Sequence, residues 1–241
     1  MNVSFVIPAR NEAENVGATV RRIQEWGRQR GSVPEIVVVD DHSTDGTWDE
    51  IERLAGVKGV RRTGPGGGIG FALKAGTQEA TGEFIIWTMA DGCDSVETYT
   101  LIVEALSAGA DMAIASRHVP GGSRGDQGAL KAFLSRTYSM IASLLLGAAI
   151  RDGTNAFRGF RRHVFQAVTL SSDGFAIAPE LTAKAHVAGF KVCEVPTLYR
   201  ERRAGTSKFR LLKVAPSYIR VLLLVPCLRL GVCSPGPSRA Y

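Results

Sequence analysis

Short, mostly apolar runs at 3–7, 36–39, 84–89 and 112–115 alternate with stretches of helical periodicity. This repeated β-α pattern is the strongest constraint on the fold. It predicts an α/β chain with a mostly parallel sheet and helices on both faces. The sharpest junction joins Glu35-Ile36-Val37-Val38-Val39 to Asp40-Asp41-His42-Ser43-Thr44-Asp45-Gly46-Thr47. A buried strand ends there in three carboxylates, hydroxyls and a glycine. Buried carboxylates need donors, a cation or solvent, and the ends of strands in an open α/β sheet are where ligands bind.

The same patterning predicts the remaining elements. Asn11 is placed to cap a first helix, with Glu14 in the capping-box position and Val16, Val20, Ile23 and Trp26 on one face. Helical signals also lie near 48–54, 71–80 and 96–106, and a weak third strand near 57–61. Beyond a glycine-rich loop at 120–128, the pattern gives a helix at 129–150, a strand at 157–160, a helix at 179–188 and a strand at 192–195 stopped by Pro196. A basic loop covers 200–208, and a last helix covers 209–230. We therefore expect a main domain over 1–208, a candidate interfacial helix over 209–232 and a flexible tail over 233–241. The last helix is interrupted by Lys213, Pro216, Arg220, Pro226 and Arg229, so it is no membrane span. A core helix and a helix lying in the lipid boundary both fit it.

The chain has 241 residues, 45% of them hydrophobic, enough for a sizeable core. Its net charge of +6 suits an anionic partner such as a phosphate-rich ligand or an acidic lipid surface. No aromatic-basic ladder supports nucleic-acid binding. Cys93, Cys193, Cys227 and Cys233 form no Cys-x-x-Cys pair, which predicts reduced thiols and a cytosolic setting.

Two further segments bear on chemistry. Gly64-Pro65-Gly66-Gly67-Gly68-Ile69-Gly70 lacks the spacing of a dinucleotide or Walker loop. It reads as a mobile connection or as a loop that lets backbone approach a ligand. Asp91 and Asp94 follow the strand at 84–89, and two carboxylates three apart at a strand end suit a hard divalent cation bridging phosphates. His42, His118, His163 and His186 show no ligand spacing.

Taken in order, these blocks resemble family 2 glycosyltransferases: Pro8-Ala9-Arg10-Asn11-Glu12, then Val38-Val39-Asp40-Asp41-x-Ser43-x-Asp45-Gly46-Thr47, then the strand ending at Asp91. Ser116-Arg117, Asp152-Gly153-Thr154-Asn155-x-Phe157-Arg158, Glu194-Val195-Pro196 and Arg202 through Gly205-x-Ser207-Lys208 resemble the dolichyl- and polyprenyl-phosphate mannosyltransferase branch. The resemblance runs from residue 3 to about 215. It implies a glycosyltransferase A-type, Rossmann-like fold. It also implies inverting, metal-assisted transfer of a hexose from GDP-mannose or UDP-glucose to a polyprenyl phosphate.

By that resemblance Pro8, Arg10, Glu12, Asp41, Gly70, Lys74, Ala90 and Asp91 would contact the nucleotide sugar, and Asp91 would hold Mg2+ or Mn2+. Met89 stands where the family has the first Asp of Asp-x-Asp, and a thioether is a poor ligand for a hard cation. Cys93 or Asp94 would then complete the metal shell. A phosphate acceptor is already an anion, so the site needs positive charge rather than a base. Arg117, Arg136, Arg158, Arg202 and Lys208 are the candidates, with Asp152 orienting the arginines; Asp91, Arg117, Arg202 and Lys208 would carry catalysis. The implied location is peripheral, on the cytoplasmic face of the cell membrane, with a possible membrane-anchor subunit. A hydroxyl acceptor, or a catalytically weak nucleotide-sugar-binding subunit, are the competing readings.

Overall fold

A computed structural model of the chain describes residues 2–125, 129–199 and 211–236, the side chains of 129–132 and 211–213 excepted. The elements in order are β1 (Val3–Ala9), α1 (Val16–Gln29), β2 (Glu35–Asp40), α2 (Thr47–Arg53), β3 (Lys58–Arg61), α3 (Ile69–Glu79), β4 (Phe84–Trp87) and α4 (Val96–Ser107). They continue with β5 (Met112–Ser116), α5 (Ala129–Leu146), β6 (Arg158–Arg161), α6 (Arg162–Ala167), α7 (Ile177–Val187), β7 (Val192–Pro196) and α8 (Leu211–Arg229).

The strands form one sheet in the order β3-β2-β1-β4-β6-β5-β7. Only β6 runs antiparallel, between β4 and β5. The C-terminal ends of β1, β2, β4, β5 and β7 therefore share one edge of the sheet. Side chains alternate across each strand. Phe5, Ile7, Ile36, Val38 and Ile86 pack with α1, α2 and α4 on one face. Val6, Val37, Val39, Ile85 and Trp87 pack with α3, α6 and α7 on the other. Phe5, Trp26 and Tyr99 meet edge to face, with ring centroids 4.9–6.1 Å apart. Burial of a ring such as Phe5 contributes about 2–3 kcal/mol. Helix α3 lies directly on the sheet at Gly76, where a Cβ would stand 2.5 Å from Val6 Cγ1.

Four sequence expectations change. Asn11 is not a helix cap: its φ of 50° is left-handed, and α1 begins at Val16. The pattern also did not predict α6, a short helix that follows β6 directly. Cys227 and Cys233 are joined by a disulfide, because the turn ending α8 brings their Cα atoms to 5.3 Å. Cys93 and Cys193 are free thiols, as expected. The glycine segment 64–70 is anchored at its C-terminal end rather than a simple connection, as shown below. Among the described residues no helix is long and apolar enough to cross a membrane.

Candidate active site

The β1 and β2 turns are stitched together by the polar residues of their motifs. Ser43 Oγ accepts the N–H of Asn11 at 2.9 Å, and Thr47 Oγ1 accepts the N–H of Glu12 at 2.8 Å. Asn11 Oδ1 in turn accepts the N–H of Thr44 at 2.8 Å. Asp45 accepts Thr47 N–H at 3.0 Å and Ala13 N–H at 3.4 Å. Burial alone would raise the pKa of Asp45, but the hydrogen bond from Thr47 Oγ1, with those two backbone bonds, outweighs it and holds the carboxyl below its usual value. Much of the signature therefore builds the site's frame. Glu12 is buried and bonded to Asn15 Nδ2 at 2.8 Å. Pro8 is buried in β1, beyond the Val6–Trp87 end of the β1–β4 ladder, where its missing N–H costs nothing. Arg10 is exposed at the sheet edge.

Asp41 is buried and fully engaged. Its Oδ2 accepts Gly68 N–H at 2.6 Å, and its Oδ1 accepts Arg62 Nη1 at 2.5 Å. His42 lies 3.2 Å from the same carboxylate and bonds the carbonyl of Gly64 at 2.9 Å. The glycine loop is thus folded over Asp41. Arg10 and Asp41 both face Gly67, where a Cβ would lie 3.0 Å from Arg10 Nη1. Gly68, at φ 153°, and Gly70 press on the 172–173 backbone, and Gly70 N–H donates to the Asp173 carbonyl at 2.8 Å. Lys74 Nζ pairs with the Asp173 carboxylate at 2.8 Å. Gly70 and Lys74 therefore dock the 172–173 segment. Arg62, which no motif marks, and His42, which has no ligand spacing, belong to this cluster. The signal for Arg62 was its place just past β3, at the edge where β2 ends.

After β4 the chain turns through 88–95, and α1 holds this turn. Thr19 Oγ1 donates to the Ala90 carbonyl at 2.9 Å, and Arg22 donates to the carbonyls of Gly92 and Asp94 at 2.8 and 3.0 Å. Ala90 is buried. Asp94 turns inward, accepting Thr88 Oγ1 at 2.8 Å and Met89 N–H at 2.9 Å; burial, then the nearby Asp91 charge, push its pKa up to about 7. Cys93 is buried, and burial followed by the Asp91 charge raises its thiol to about 12. A thiol is a poor ligand for a hard cation, and Asp94 Oδ2 is taken by Thr88 Oγ1 and Met89 N–H. Among the described residues no group of three potential ligands forms. With β1 between them, the ends of β2 and β4 lie about 10 Å apart.

The β5 end carries a bidentate ion pair. Arg117 donates through Nε at 2.8 Å and Nη2 at 2.7 Å to the two oxygens of Asp152, and its backbone N–H donates at 2.9 Å. Asp152 is fully buried. Burial would raise its pKa, but Arg117's hydrogen bonds and charge prevail and hold it below the usual range. Ser135 of α5 joins through Thr154 at 2.6 Å and stands 3.4 Å from Arg117 Nη2. Arg136 is exposed on α5. Arg158 is a correction: it is fully buried, and its guanidinium bonds Ala178 O at 2.7 Å, Thr182 Oγ1 at 2.6 Å and Gly153 O at 3.1 Å. Burial draws its pKa down to about 10. It braces the 153–155 turn against α7 rather than facing a ligand. Arg202 and Lys208 lie outside the described residues.

Residues 4–169 match Glycosyl transferase family 2. The chain is 37% identical over 214 residues to polyprenol monophosphomannose synthase of Mycolicibacterium smegmatis, covering 84% of this chain and 79% of that protein. It is 34% identical to dolichol-phosphate mannosyltransferase of Pyrococcus furiosus, covering 87% of this chain and 60% of that protein. It is 32% identical to undecaprenyl-phosphate mannosyltransferase of Micrococcus luteus, covering 86% and 87%. In fold it is similar to glucosyl-3-phosphoglycerate synthase of Mycobacterium tuberculosis, solved with Mn2+, UDP and phosphoglyceric acid. That likeness has a TM-score of 0.72 at 17% identity and covers 94% of this chain and 78% of the other. With the ordered motifs on one edge of a glycosyltransferase A-type sheet, the chain belongs to glycosyl transferase family 2, in its polyprenyl-phosphate mannosyltransferase-like branch, and is a glycosyltransferase.

Proposed function

We propose that this enzyme transfers a hexose, mannose or glucose, from GDP-mannose or UDP-glucose to a polyprenyl phosphate, with inversion. The observation that carries the proposal is the Arg117–Asp152 pair at the β5 end, on the same edge as Asp91 and Asp41. The polyprenyl-phosphate mannosyltransferases among its relatives support the acceptor.

The reaction is a single displacement. An acceptor phosphate oxygen bonds the anomeric carbon as the bond from that carbon to the nucleoside diphosphate breaks. One displacement inverts the centre, and an anionic nucleophile needs no general base. Arg117, with its Nε and Nη2 held by Asp152, sets a fixed positive charge at the β5 end for a phosphate. Asp91 is the residue that would hold Mg2+ or Mn2+, and a bound ion would supply charge to the leaving diphosphate. Arg10, exposed beside Asp41, is placed for the donor diphosphate.

The lipid acceptor calls for a surface that meets a bilayer. Phe133, Met140, Ile141 and Leu144 of α5 are exposed, as are Ile219 and Leu223 of α8 and Leu230 just beyond it. Neither helix contains Asp or Glu, while Arg136, Arg220 and Arg229 are exposed on them. An apolar face with cations and no acids suits a peripheral seat on an anionic membrane, here the inner face of the cell membrane. Thermal-shift titration with GDP-mannose and UDP-glucose, with and without Mn2+, tests the donor. Stabilisation by one of them is expected; no shift with any nucleotide sugar contradicts the proposal.

A further inference from the structure

We propose that Glu194 is a positioning residue for Arg117, acting through the 151–154 turn; the inference rests on the acceptor role given to Arg117 above. Glu194 sits in β7, in register with Ile114 of β5, two residues before the strand's last position. Among the described residues its carboxylate pairs with no cation. Oε2 accepts the N–H of Arg151 at 2.9 Å, and Oε1 accepts the N–H of Asp152 at 2.7 Å. Both oxygens are thus spent on two successive amides of a turn that has no ladder of its own.

That turn presents the Asp152 carboxylate to Arg117. Fixing the backbone of Asp152 on one side and its side chain on the other leaves Arg117 one orientation. Thr154 extends the same turn to Ser135 of α5, so the two elements flanking Arg117 are set from one anchor. The pairing of β7 with β5 is made by backbone groups and does not need this carboxylate. Its use is to aim the guanidinium, and rigid support of this kind decides whether a binding group lies where its ligand needs it.

The test is Glu194→Gln, which keeps shape but sets an amide NH2 against one of the two N–H donors. A charge-assisted hydrogen bond is lost, so the acceptor KM is expected to rise about tenfold while the donor KM holds. Glu194→Asp, with its charge drawn back by one methylene, should show the same acceptor-side defect and covers a Gln variant that fails to fold. On an Arg117→Lys background Glu194→Gln should add no further acceptor defect, because its effect runs through the guanidinium. An unchanged acceptor KM, an equal rise in donor KM, or a full additional loss on that background overturns the inference alone. A wild-type enzyme that turns over nucleotide sugar but ignores polyprenyl phosphate overturns the proposed acceptor and this inference with it.

Discussion

Arg117 donates to both carboxylate oxygens of Asp152, through Nε at 2.8 Å and Nη2 at 2.7 Å, where β5 leaves the sheet. A fork this well matched is specific to arginine. Arg117→Lys keeps the charge but loses the fork, and kcat is expected to fall about 100-fold, as when one preorganised donor is removed. Steady-state kinetics with a short-chain isoprenyl phosphate measures it.

The metal reading makes a separate prediction. Asp91 stands at the β4 end, and Met89 leaves the first ligand position of the motif uncharged. Asp91→Ala should abolish transfer. Met89→Asp adds a second carboxylate two residues away and should lower the Mn2+ concentration giving half-maximal activity about tenfold. A metal titration of initial rate reads both.

Glu180 carries a pH-dependent share of the stability. It is buried in α7 and accepts Ser171 N–H at 2.9 Å, Ser172 N–H at 2.7 Å and Lys184 Nζ at 2.7 Å. Burial would raise its pKa, but the bonds from Lys184 and Ser171 outweigh it and bring it down to about 2. A depressed carboxylate stabilises the fold above its unfolded value near 4.5 and loses that contribution as pH falls toward 2. Glu180→Gln should therefore cost about 3 kcal/mol at pH 7. The gap from the wild type should narrow as pH drops below 4.5. Denaturant melts at several pH values check this.

The exposed face of α5 and α8 predicts a lipid dependence. Leu144 and Leu223 are 81% and 72% exposed, so charges there should leave the fold intact. The pair Leu144→Glu and Leu223→Glu should weaken co-sedimentation with phosphatidylglycerol vesicles by about tenfold or more, through lost apolar burial and added like charge. Melting temperature should stay within a few degrees.

Much of this architecture could be read from the chain. The all-apolar runs at 36–39 and 112–115 marked parallel strands, being short and set between helical stretches. The Asp40–Thr47 block gave the site's location. What the chain hid was the division of labour within it. Asn11, Ser43, Asp45 and Thr47 resemble ligand contacts in sequence but spend their polar atoms on one another. Arg158 and Arg117 are indistinguishable as residues; only tertiary packing seals one beneath α7 and leaves the other at the edge. Arg62 escaped because its partner Asp41 is 21 residues away, and Glu194 stood in a recognised block whose use was hidden because the 151–152 amides are 42–43 residues away. Strand-end position is the local signal that would have marked Arg62.

Attack of an anionic lipid on a nucleotide-linked sugar at this edge is the central chemical step. The direct measurement incubates the enzyme with Mn2+, labelled GDP-mannose or UDP-glucose, and polyprenyl phosphate, with polyprenol lacking the phosphate as the control. Label should enter the organic phase with the phosphate and not with the alcohol. Label that stays in water with both lipids, or that moves equally onto the alcohol, would contradict it.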